Sequence, residues 1–540
     1  MPSTPTTKSQ VHAYQFVLRR MQSALVRRDA VMLHDPMRTH SRATIVGAVL
    51  SALAMLGFII FGLFKPSPQA PGPGNIVIAE QSGAIYVMAG SPKKLIPTFN
   101  LASARLLLMA QTDQEGGEGG PPAGGAAAGP VEAVEPTVIP DEQLKDIPRG
   151  RLHGIPNGPE SLPTGEMRVS PEWAVCDEIG LDPSLPDPTS INVNETTVFA
   201  GVSDLGNELA TNEAILATSE NDETYLIYRL VDNPNQPNAN TVRAKVDLSK
   251  GSVRAALGLS AKPRQISMGL LNAIPEVNAL NPPTVAGAGT SNSLGLSGLF
   301  VGDVFSVSRT GEADEFWVVT KSGIQEVSKA VADMIRYEKS ISADEIDSVR
   351  PDAISNVPVL RPGDPDYLQV SEYPQAVPTV LEAEKHPVTC LGWNVAGEGV
   401  NRGGQTKVYV GAELPGPKNE AGDSTAVQIG QPSPDGLQID KFYLQPGMAA
   451  VVRSVTAKET FDKGAIQLIT DRGMRYGVPD LRTAQGLGLD PQQPAPDNII
   501  RLLPTGASLN TQDVLRTFDS VPVEENAGTF TEPKPQAAGN

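Results

Sequence analysis

Residues 43–64 read ATIVGAVLSALAMLGFIIFGLF, twenty-two consecutive residues without a charge. An α-helix of this length spans about 33 Å, which matches the roughly 30 Å hydrocarbon core of a bilayer. The alternatives are a buried core helix, which is seldom apolar on every face, and a signal peptide, whose apolar region usually has about 7–15 residues. Because forty-two residues also precede this run, we predict a single uncleaved transmembrane helix.

The charges on the two sides of this run predict its orientation. Residues 1–65 carry eight basic and two acidic residues, whereas the remaining 475 carry 35 basic and 59 acidic residues, a net charge of −24. Seven of the eight basic residues precede the run, so the positive-inside rule places residues 1–42 in the cytoplasm and the acidic part on the other side of the membrane. An acidic outer part of this size argues against nucleic-acid binding.

The cytoplasmic segment contains a stripe of apolar residues at helical spacing, which predicts an amphipathic helix that ends before Asp35-Pro36. The stripe consists of Val11, Tyr14, Leu18, Met21 and Leu25. It can dock a partner protein, or the basic helix can lie on anionic lipid headgroups. We favour a partner protein, because a helix on a membrane surface normally carries more bulky aromatic residues.

The chain has two cysteines, Cys176 and Cys390, and each lies three residues from a tryptophan. A small even number of cysteines in an oxidising compartment predicts one disulfide. Its loop of 214 residues corresponds to a stabilisation of up to about 5 kcal/mol in the chain-entropy model. Two buried free thiols are the alternative. The cysteines and His386 do not have a recognised metal-ligand spacing, so we predict no metal site.

The outer part also contains a two-copy duplication. Six segments recur in the same order at offsets between 210 and about 241 residues, and the offset falls from 231 to 210 across the low-complexity insertion 116–129. The pairs are 84–88 with 315–320, 143–148 with 353–358, Cys176 with Cys390, 224–228 with 465–469, 256–259 with 486–489, and 271–275 with 500–504. We therefore predict that each half consists of a strand–helix module, a β-rich central segment with its cysteine, and a second module.

These observations predict an α+β fold. It consists of one transmembrane helix and an elongated, β-rich outer domain, in which four repeat modules surround a central domain with approximate two-fold symmetry and one disulfide. The predicted boundaries are a cytoplasmic segment 1–42, the membrane helix 43–64, a linker 65–75, module 1 at 76–112, a Gly/Ala/Pro-rich linker 113–140, the first half of the central domain 141–215, module 2 at 216–280, a linker 281–297, module 3 at 298–345, the second half of the central domain 346–460, module 4 at 461–510, and a tail 511–540.

Catalytic signatures are missing from this sequence. The phosphate-binding pattern GxxxxGK[ST] and the nucleophile pattern GxSxG do not occur. Only His153 and His386 follow the membrane run, which makes a zinc site or a Ser-His triad hard to build. We expect neighbouring carboxylates such as Asp177 and Glu178 to be solvated loop residues. The residues alone thus indicate an anchored scaffold without catalytic, metal or cofactor site.

Short motifs recur in a fixed order along residues 10–520. They are QFVLRR (15–20), DPMR (35–38), the membrane helix, SGAIYV (82–87), NLASARL (100–106), PRG (148–150), GIP (154–156), WAVCD (173–177), NAIP (272–275) and PVTC (387–390). In order and spacing this series closely resembles EccB, the bitopic membrane component of actinobacterial type VII (ESX) secretion systems. The chain departs from the family in its insert at 113–130 and in its tail after Val521.

The resemblance implies a structural subunit that joins an EccC-like motor ATPase and EccD-like and EccE-like subunits in a hexameric inner-membrane complex. It also implies an associated mycosin protease on the periplasmic side, exported helical WXG-motif and PE/PPE-type substrates, and Cys176 and Cys390 at the positions of the family's disulfide. The family is sometimes called an ATPase, but since no nucleotide site is visible we assign ATP hydrolysis to the partner. The alternatives are an anchored envelope hydrolase and a cell-wall or ligand sensor.

Overall fold

The computed structural model describes residues 7–28, 36–64, 70–115, 132–191, 193–230, 241–339, 346–399, 402–430, 437, 439–461 and 463–518. The chain divides into two compact units, residues 1–70 and 71–540. The first is helical and the second is a β-rich α+β unit, which confirms the predicted fold class. The inserted low-complexity segment 116–131 and the tail from residue 519 lie outside the described residues.

The helices and strands are numbered in chain order. The α-helices are α1 (Lys8–Arg27), α2 (Pro36–Phe64), α3 (Leu101–Glu115), α4 (Gly251–Ala256), α5 (Met268–Ala273), α6 (Lys329–Lys339), α7 (Leu481–Gly486) and α8 (Asp497–Ile500). The strands are β1 (Asn75–Ala79), β2 (Ile85–Ala89), β3 (Lys94–Thr98), β4 (Thr137–Ile139), β5 (Trp173–Ile179), β6 (Asn194–Ala200), β7 (Asn207–Glu208), β8 (Glu213–Thr218), β9 (Thr224–Arg229), β10 (Thr241–Lys245), β11 (Arg264–Gln265), β12 (Glu276–Val277), β13 (Val304–Val307), β14 (Glu315–Val319), β15 (Ile324–Val327), β16 (Asp347–Ser348), β17 (Thr379–Val380), β18 (Val388–Ala396), β19 (Gly403–Gly411), β20 (Val427–Gln428), β21 (Lys441–Tyr443), β22 (Ala449–Val455), β23 (Ile466–Thr470), β24 (Arg475–Val478) and β25 (Gln493–Pro496).

The N-terminal unit consists of two long helices, α1 and α2. A capping box begins α1: the Thr7 hydroxyl accepts from the Gln10 N–H and the Gln10 amide oxygen accepts from the Thr7 N–H, at 3.4 and 3.0 Å. The helix α2 starts at Pro36, where the missing N–H of proline costs no helical hydrogen bond. Within α2, Arg42–Gly62 is long and apolar enough to cross a membrane.

Four modules in the second unit share one topology. In each module three antiparallel strands are followed by a helix and by a fourth strand that runs parallel to the first. The repeats are β1-β2-β3-α3-β4, β8-β9-β10-α4-β11, β13-β14-β15-α6-β16 and β22-β23-β24-α7-β25. The duplication predicted from the sequence is therefore present in the backbone, and each half of the chain supplies two modules.

A proline-bearing segment borders the third strand of every module. In each case the proline carbonyl accepts from a backbone N–H of that strand: Pro148 from Leu95, Pro275 from Arg243 and Pro358 from Ile324 at 2.8 Å, and Pro504 from Arg475 at 3.0 Å. These segments run parallel to the third strands. Each segment forms a new edge of its sheet. Because proline has no N–H to donate, it hinders the pairing of a further strand at this edge.

The modules pack in pairs that join the two halves of the chain. Modules 1 and 4 share one hydrophobic core, in which α3 contacts α7, and modules 2 and 3 share another, in which α4 contacts α6. At the first contact Gly486 lies so close to the Met109 side chain that a Cβ there would be 2.2 Å from its sulfur. Arg105 of α3 is buried beside it and donates to the Leu487 carbonyl at 2.6 Å.

The central domain is a seven-stranded sheet with the order β20-β21-β6-β5-β18-β19-β7. Its two middle strands come from different halves and pair antiparallel, with Trp173 opposite Trp393 and Cys176 opposite Cys390. An approximate two-fold axis thus passes between β5 and β18. The short outer strands cross over this axis, because β7 of the first half pairs with β19 of the second and β21 of the second half pairs with β6 of the first.

The boundaries of the modules differ from the expected ones. The strand β22, expected within the central segment 346–460, pairs with β23 and is the first strand of module 4. Likewise β17 joins the sheet of module 2, and β4 lies within the expected linker 113–140. The central strands and the first strands of the modules have the same apolar pattern, so the sequence offers no local signal that separates them.

Candidate assembly site

The stripe on α1 is exposed to solvent. Its five predicted residues are exposed to between 38% (Leu18) and 81% (Leu25) of their surface. Val17 and Val26, which the stripe does not include, are also exposed, at 50% and 83%. The helix carries four basic residues and no acidic one. Exposed apolar and basic side chains thus lie together on α1, and Val17 and Val26 widen the apolar surface beyond the predicted spacing.

The two cysteines form a disulfide between the middle strands of the central sheet. Cys176 and Cys390 are bonded, fully buried, and have their Cα atoms 3.9 Å apart. They lie in an apolar cluster on one face of the sheet, together with Phe199, Val388 and Leu414. Trp173 and Trp393 point to the opposite face because side chains alternate along a strand. The predicted disulfide is confirmed, and it joins the two halves of the chain at the approximate two-fold axis.

The carboxylate of Asp177 is buried, contrary to the expectation of a solvated loop residue. It lies in β5, one residue after the disulfide, and only 3% of its surface is exposed. It accepts hydrogen bonds from the Asn194 side chain (3.0 Å), the Thr196 hydroxyl (2.9 Å), and the N–H and hydroxyl of Ser267 (both 2.7 Å). Because Ser267 caps α5, the carboxylate fixes this helix on the central sheet.

Burial dominates the electrostatics of this region. Desolvation raises the pKa of Asp177 although its four hydrogen bonds act in the opposite direction.

On β11, the guanidinium of Arg264 donates to the His386 carbonyl at 2.7 Å and to the Thr389 hydroxyl at 3.0 Å. Desolvation lowers the pKa of Arg264 to about 10, so it stays charged at neutral pH. Thr389 lies directly opposite Asp177, and the two buried groups thus hold the same part of the sheet.

Asp177 and Arg264 do not line the cavity that lies next to the central sheet. Within the described residues there is no group of three His, Cys, Asp or Glu side chains that could hold a metal ion. This cavity has a volume of about 720 Å³, and the loops that line it include Arg168, Asp204 and Glu413. It has no His, Cys or Lys in its lining.

Comparison with known proteins identifies the family. The family model described as "Type VII secretion system ESX-1, transport TM domain B" matches residues 3–523. The chain belongs to the EccB family. It is thus a structural membrane subunit of a type VII secretion system, as the sequence motifs led us to expect.

Characterised EccB proteins match over nearly their whole length. The "ESX-3 secretion system ATPase EccB3" of Mycolicibacterium smegmatis (strain ATCC 700084 / mc(2)155) is 29% identical, and the alignment covers 96% of this chain and 92% of the relative. The "ESX-1 secretion system ATPase EccB1" of Mycobacterium tuberculosis (strain ATCC 25618 / H37Rv) is 28% identical, with 96% of each chain covered. Both names include the word ATPase, although this EccB-family chain lacks the phosphate-binding pattern.

Solved EccB structures have the same fold. A chain of the "intact ESX-5 inner membrane complex" is 25% identical with a TM-score of 0.65, and 98% of this chain and 99% of that chain are covered. The "EccB3 dimer from the ESX-3 core complex" is 26% identical with a TM-score of 0.62, and 82% and 99% are covered. The EccB fold with its central domain and disulfide is therefore established for this chain.

Proposed function

We propose that this chain is a non-enzymatic scaffold that α2 anchors in the inner membrane and that associates with copies of itself and with the other core components. The match over 98% of the chain to a component of an ESX-5 inner membrane complex carries this proposal. The partners are an EccC-like motor ATPase, EccD-like and EccE-like subunits, and a mycosin protease, in an assembly with six copies of this chain. The absence of a phosphate-binding pattern from the sequence assigns ATP hydrolysis to the motor.

The orientation follows from the charges that flank α2. Seven basic residues precede the apolar run and Lys65 follows it, so α1 is cytoplasmic and the acidic second unit is periplasmic. The disulfide agrees with this placement because structural disulfides persist in oxidising compartments. The acidic periplasmic unit then meets other subunits, while α1 meets the cytoplasmic parts of the machine.

We expect protease added to intact spheroplasts to degrade the second unit and to leave a short N-terminal fragment that contains α1 and α2. An epitope tag at the N-terminus and antibodies against residues 71–518 would follow the two parts separately. Permeabilised cells are the control, since both parts should then be degraded. A second unit that survives in intact spheroplasts and is degraded only after permeabilisation would contradict the periplasmic placement.

Charges in the α1 stripe are expected to release the chain from its cytoplasmic partners. The double variant Tyr14→Glu/Leu18→Glu places two carboxylates on the exposed stripe, where burial against a partner would leave them unpaired. The matched control Ser9→Glu/Ala13→Glu introduces the same charge at exposed residues on the opposite side of the helix. We expect the first variant, and not the second, to lose the motor ATPase on affinity purification and to lose the large species on a blue-native gel.

Both variants keep α2, so both should remain in the membrane fraction. If the stripe lies on lipid headgroups instead, the Tyr14→Glu/Leu18→Glu chain will still co-purify with the ATPase. ATP hydrolysis by the isolated wild-type chain would contradict the non-enzymatic proposal, and a wild-type chain that stays monomeric and co-purifies with no other subunit would contradict the scaffold.

A further inference from the structure

A long uncharged segment connects modules 2 and 3. Residues 277–302 contain no Asp, Glu, Lys, Arg or His, although the chain after residue 65 carries 94 Asp, Glu, Lys and Arg in 475 residues. Part of the segment forms a hairpin, residues 289–301, which we term the Phe300 hairpin. Gly289 donates to the Val301 carbonyl and Val301 donates to the Thr290 carbonyl, at 2.8 and 2.9 Å. An uncharged hairpin of this kind is unusual on the surface of so acidic a chain.

The side chain of Asn292 holds the tip of the Phe300 hairpin in one conformation. Its amide nitrogen donates to the carbonyls of Leu296 and Leu299, at 2.7 and 2.5 Å. Its amide oxygen accepts from the N–H groups of Leu294 and Leu296, at 3.0 and 3.3 Å. These four hydrogen bonds of one side chain take the place of the backbone pairing in a tight turn. The tip therefore has a defined conformation.

The hairpin presents one large apolar side chain to solvent. Leu296 and Leu299 are buried in a cluster with Trp317 of module 3, and they anchor the hairpin to the module. Phe300 is not part of this cluster and 48% of its surface is exposed. Aromatic residues on a rigid support are enriched at the centres of protein interfaces, where their burial contributes most to binding.

The carboxylate beside Phe300 is already compensated. Asp303 accepts from the Phe300 N–H at 2.7 Å and forms an ion pair with Lys339, also at 2.7 Å. Two copies of a chain with a net charge of −24 after residue 65 repel each other. They can approach with least repulsion where each presents an uncharged surface, since like charges brought together at an interface cost several kcal/mol.

We propose that the Phe300 hairpin is a contact between two copies of this chain. This inference rests on the self-association in the proposed function and adds the surface at which it takes place. Burial of Phe300 against the partner copy supplies apolar area, and the lack of carboxylates distinguishes the hairpin from the acidic composition of the chain after residue 65.

Introduced charge and cross-linking test this contact in the full-length chain. Phe300→Asp places a carboxylate at the contact, and we expect it to abolish the self-associated species of the solubilised chain on a blue-native gel. The control Val359→Asp makes the same change at a 50% exposed residue in the Pro358 segment that borders module 3, and it should leave that species unchanged. Fluorescence of Trp317, which lies beside the hairpin, reports whether the variant module is folded.

Cross-linking gives an independent readout. Ser297→Cys puts a thiol on the exposed tip, while both native cysteines are already paired. In membranes, a short bismaleimide should link two Ser297→Cys chains into a covalent dimer and should not link Ser355→Cys chains. Self-association of Phe300→Asp equal to wild type, or a Ser297→Cys product with a different protein or with lipid only, would overturn the inference. In those cases a wild-type chain that still co-purifies with the ATPase would leave the proposed function standing.

Discussion

Replacement of Asp177 by alanine is expected to lower the free energy of unfolding of the central domain by about 2–4 kcal/mol. The residue is 3% exposed and its carboxylate accepts four hydrogen bonds. Alanine would leave the Ser267 N–H and the Asn194 amide without this acceptor in a buried site. It would also remove the hydrogen bonds between β5 and the N-terminus of α5, which would then be held on β5 by apolar packing. Thermal unfolding in detergent, followed by tryptophan fluorescence, measures the loss, because Trp173 lies in the same strand.

Asp177→Asn is the matched control for this prediction. An asparagine oxygen can accept from the Ser267 N–H and the Asn194 amide, while its NH₂ group can donate to the hydroxyls of Thr196 and Ser267, which rotate to accept. The buried charge disappears and the hydrogen bonds remain, so we expect Asp177→Asn to stay within about 1 kcal/mol of wild type. Equal losses in the alanine and asparagine variants would show that the charge, and not the acceptor, matters.

The pH dependence of stability separates the two variants further. Burial raises the pKa of Asp177 in the folded chain above its unfolded value of about 3.9. The folded state therefore binds a proton more readily than the unfolded state, and this residue adds stability as the pH falls through its folded pKa towards about 3.9. Asp177→Asn should lack that contribution. A wild-type chain whose stability relative to Asp177→Asn decreases in this window would contradict the raised pKa.

Patterns of local sequence were sufficient for several features of this chain. The uncharged run at 43–64, the stripe from Val11 to Leu25 and the paired cysteines each depend on residues close together or on a simple count, and each corresponds to an element of the structure. The duplication was also visible, because insertions shift the offsets only where they occur. Physical rules of length, period and redox environment operate at this level.

The burial of Asp177 shows where such patterns fail. Two adjacent acidic residues such as Asp177 and Glu178 favour the prediction of a surface loop, because carboxylates are seldom buried. Strand alternation carried the opposite signal: Trp173, Val175 and Asp177 share one face of β5, and that face is buried. The donors from Ser267, ninety residues away, decide the outcome. Local sequence patterns do not indicate a contact between residues so far apart in the chain. The assignment of β22 to module 4 likewise depends on its strand pairing and not on a local pattern.

The repeated modules explain how this fold serves assembly without a catalytic site. The pairing of modules 1 and 4 and of modules 2 and 3 uses the same strands and helices on both sides of the approximate two-fold axis. Each half of the chain thus packs against the other half, and module 1 is in contact with module 4. The second unit is a closed framework on which surface segments such as the Phe300 hairpin are held in fixed positions.

Loss of the disulfide is expected to reduce the stability of the central domain by about 2–5 kcal/mol. The bond closes a loop of 214 residues and lies fully buried among apolar side chains. Cys176→Ala/Cys390→Ala is the appropriate variant, because serine would bury hydroxyl groups in this cluster. We expect faster hydrogen exchange in β5 and β18. The cores shared by modules 1 and 4 and by modules 2 and 3 should exchange as before, since each is held by its own packing.

Reductant provides the control, because it should bring the wild-type chain to the behaviour of the alanine variant and leave that variant unchanged. The structure also limits what the loss can do. The halves remain joined by the β5–β18 pairing and by the contacts of α3 with α7 and α4 with α6, so the chain should loosen at its centre without coming apart. Unchanged exchange in β5 and β18 would mean that strand pairing alone holds the centre, while simultaneous loss of protection in all four modules would mean that the disulfide supports the entire framework.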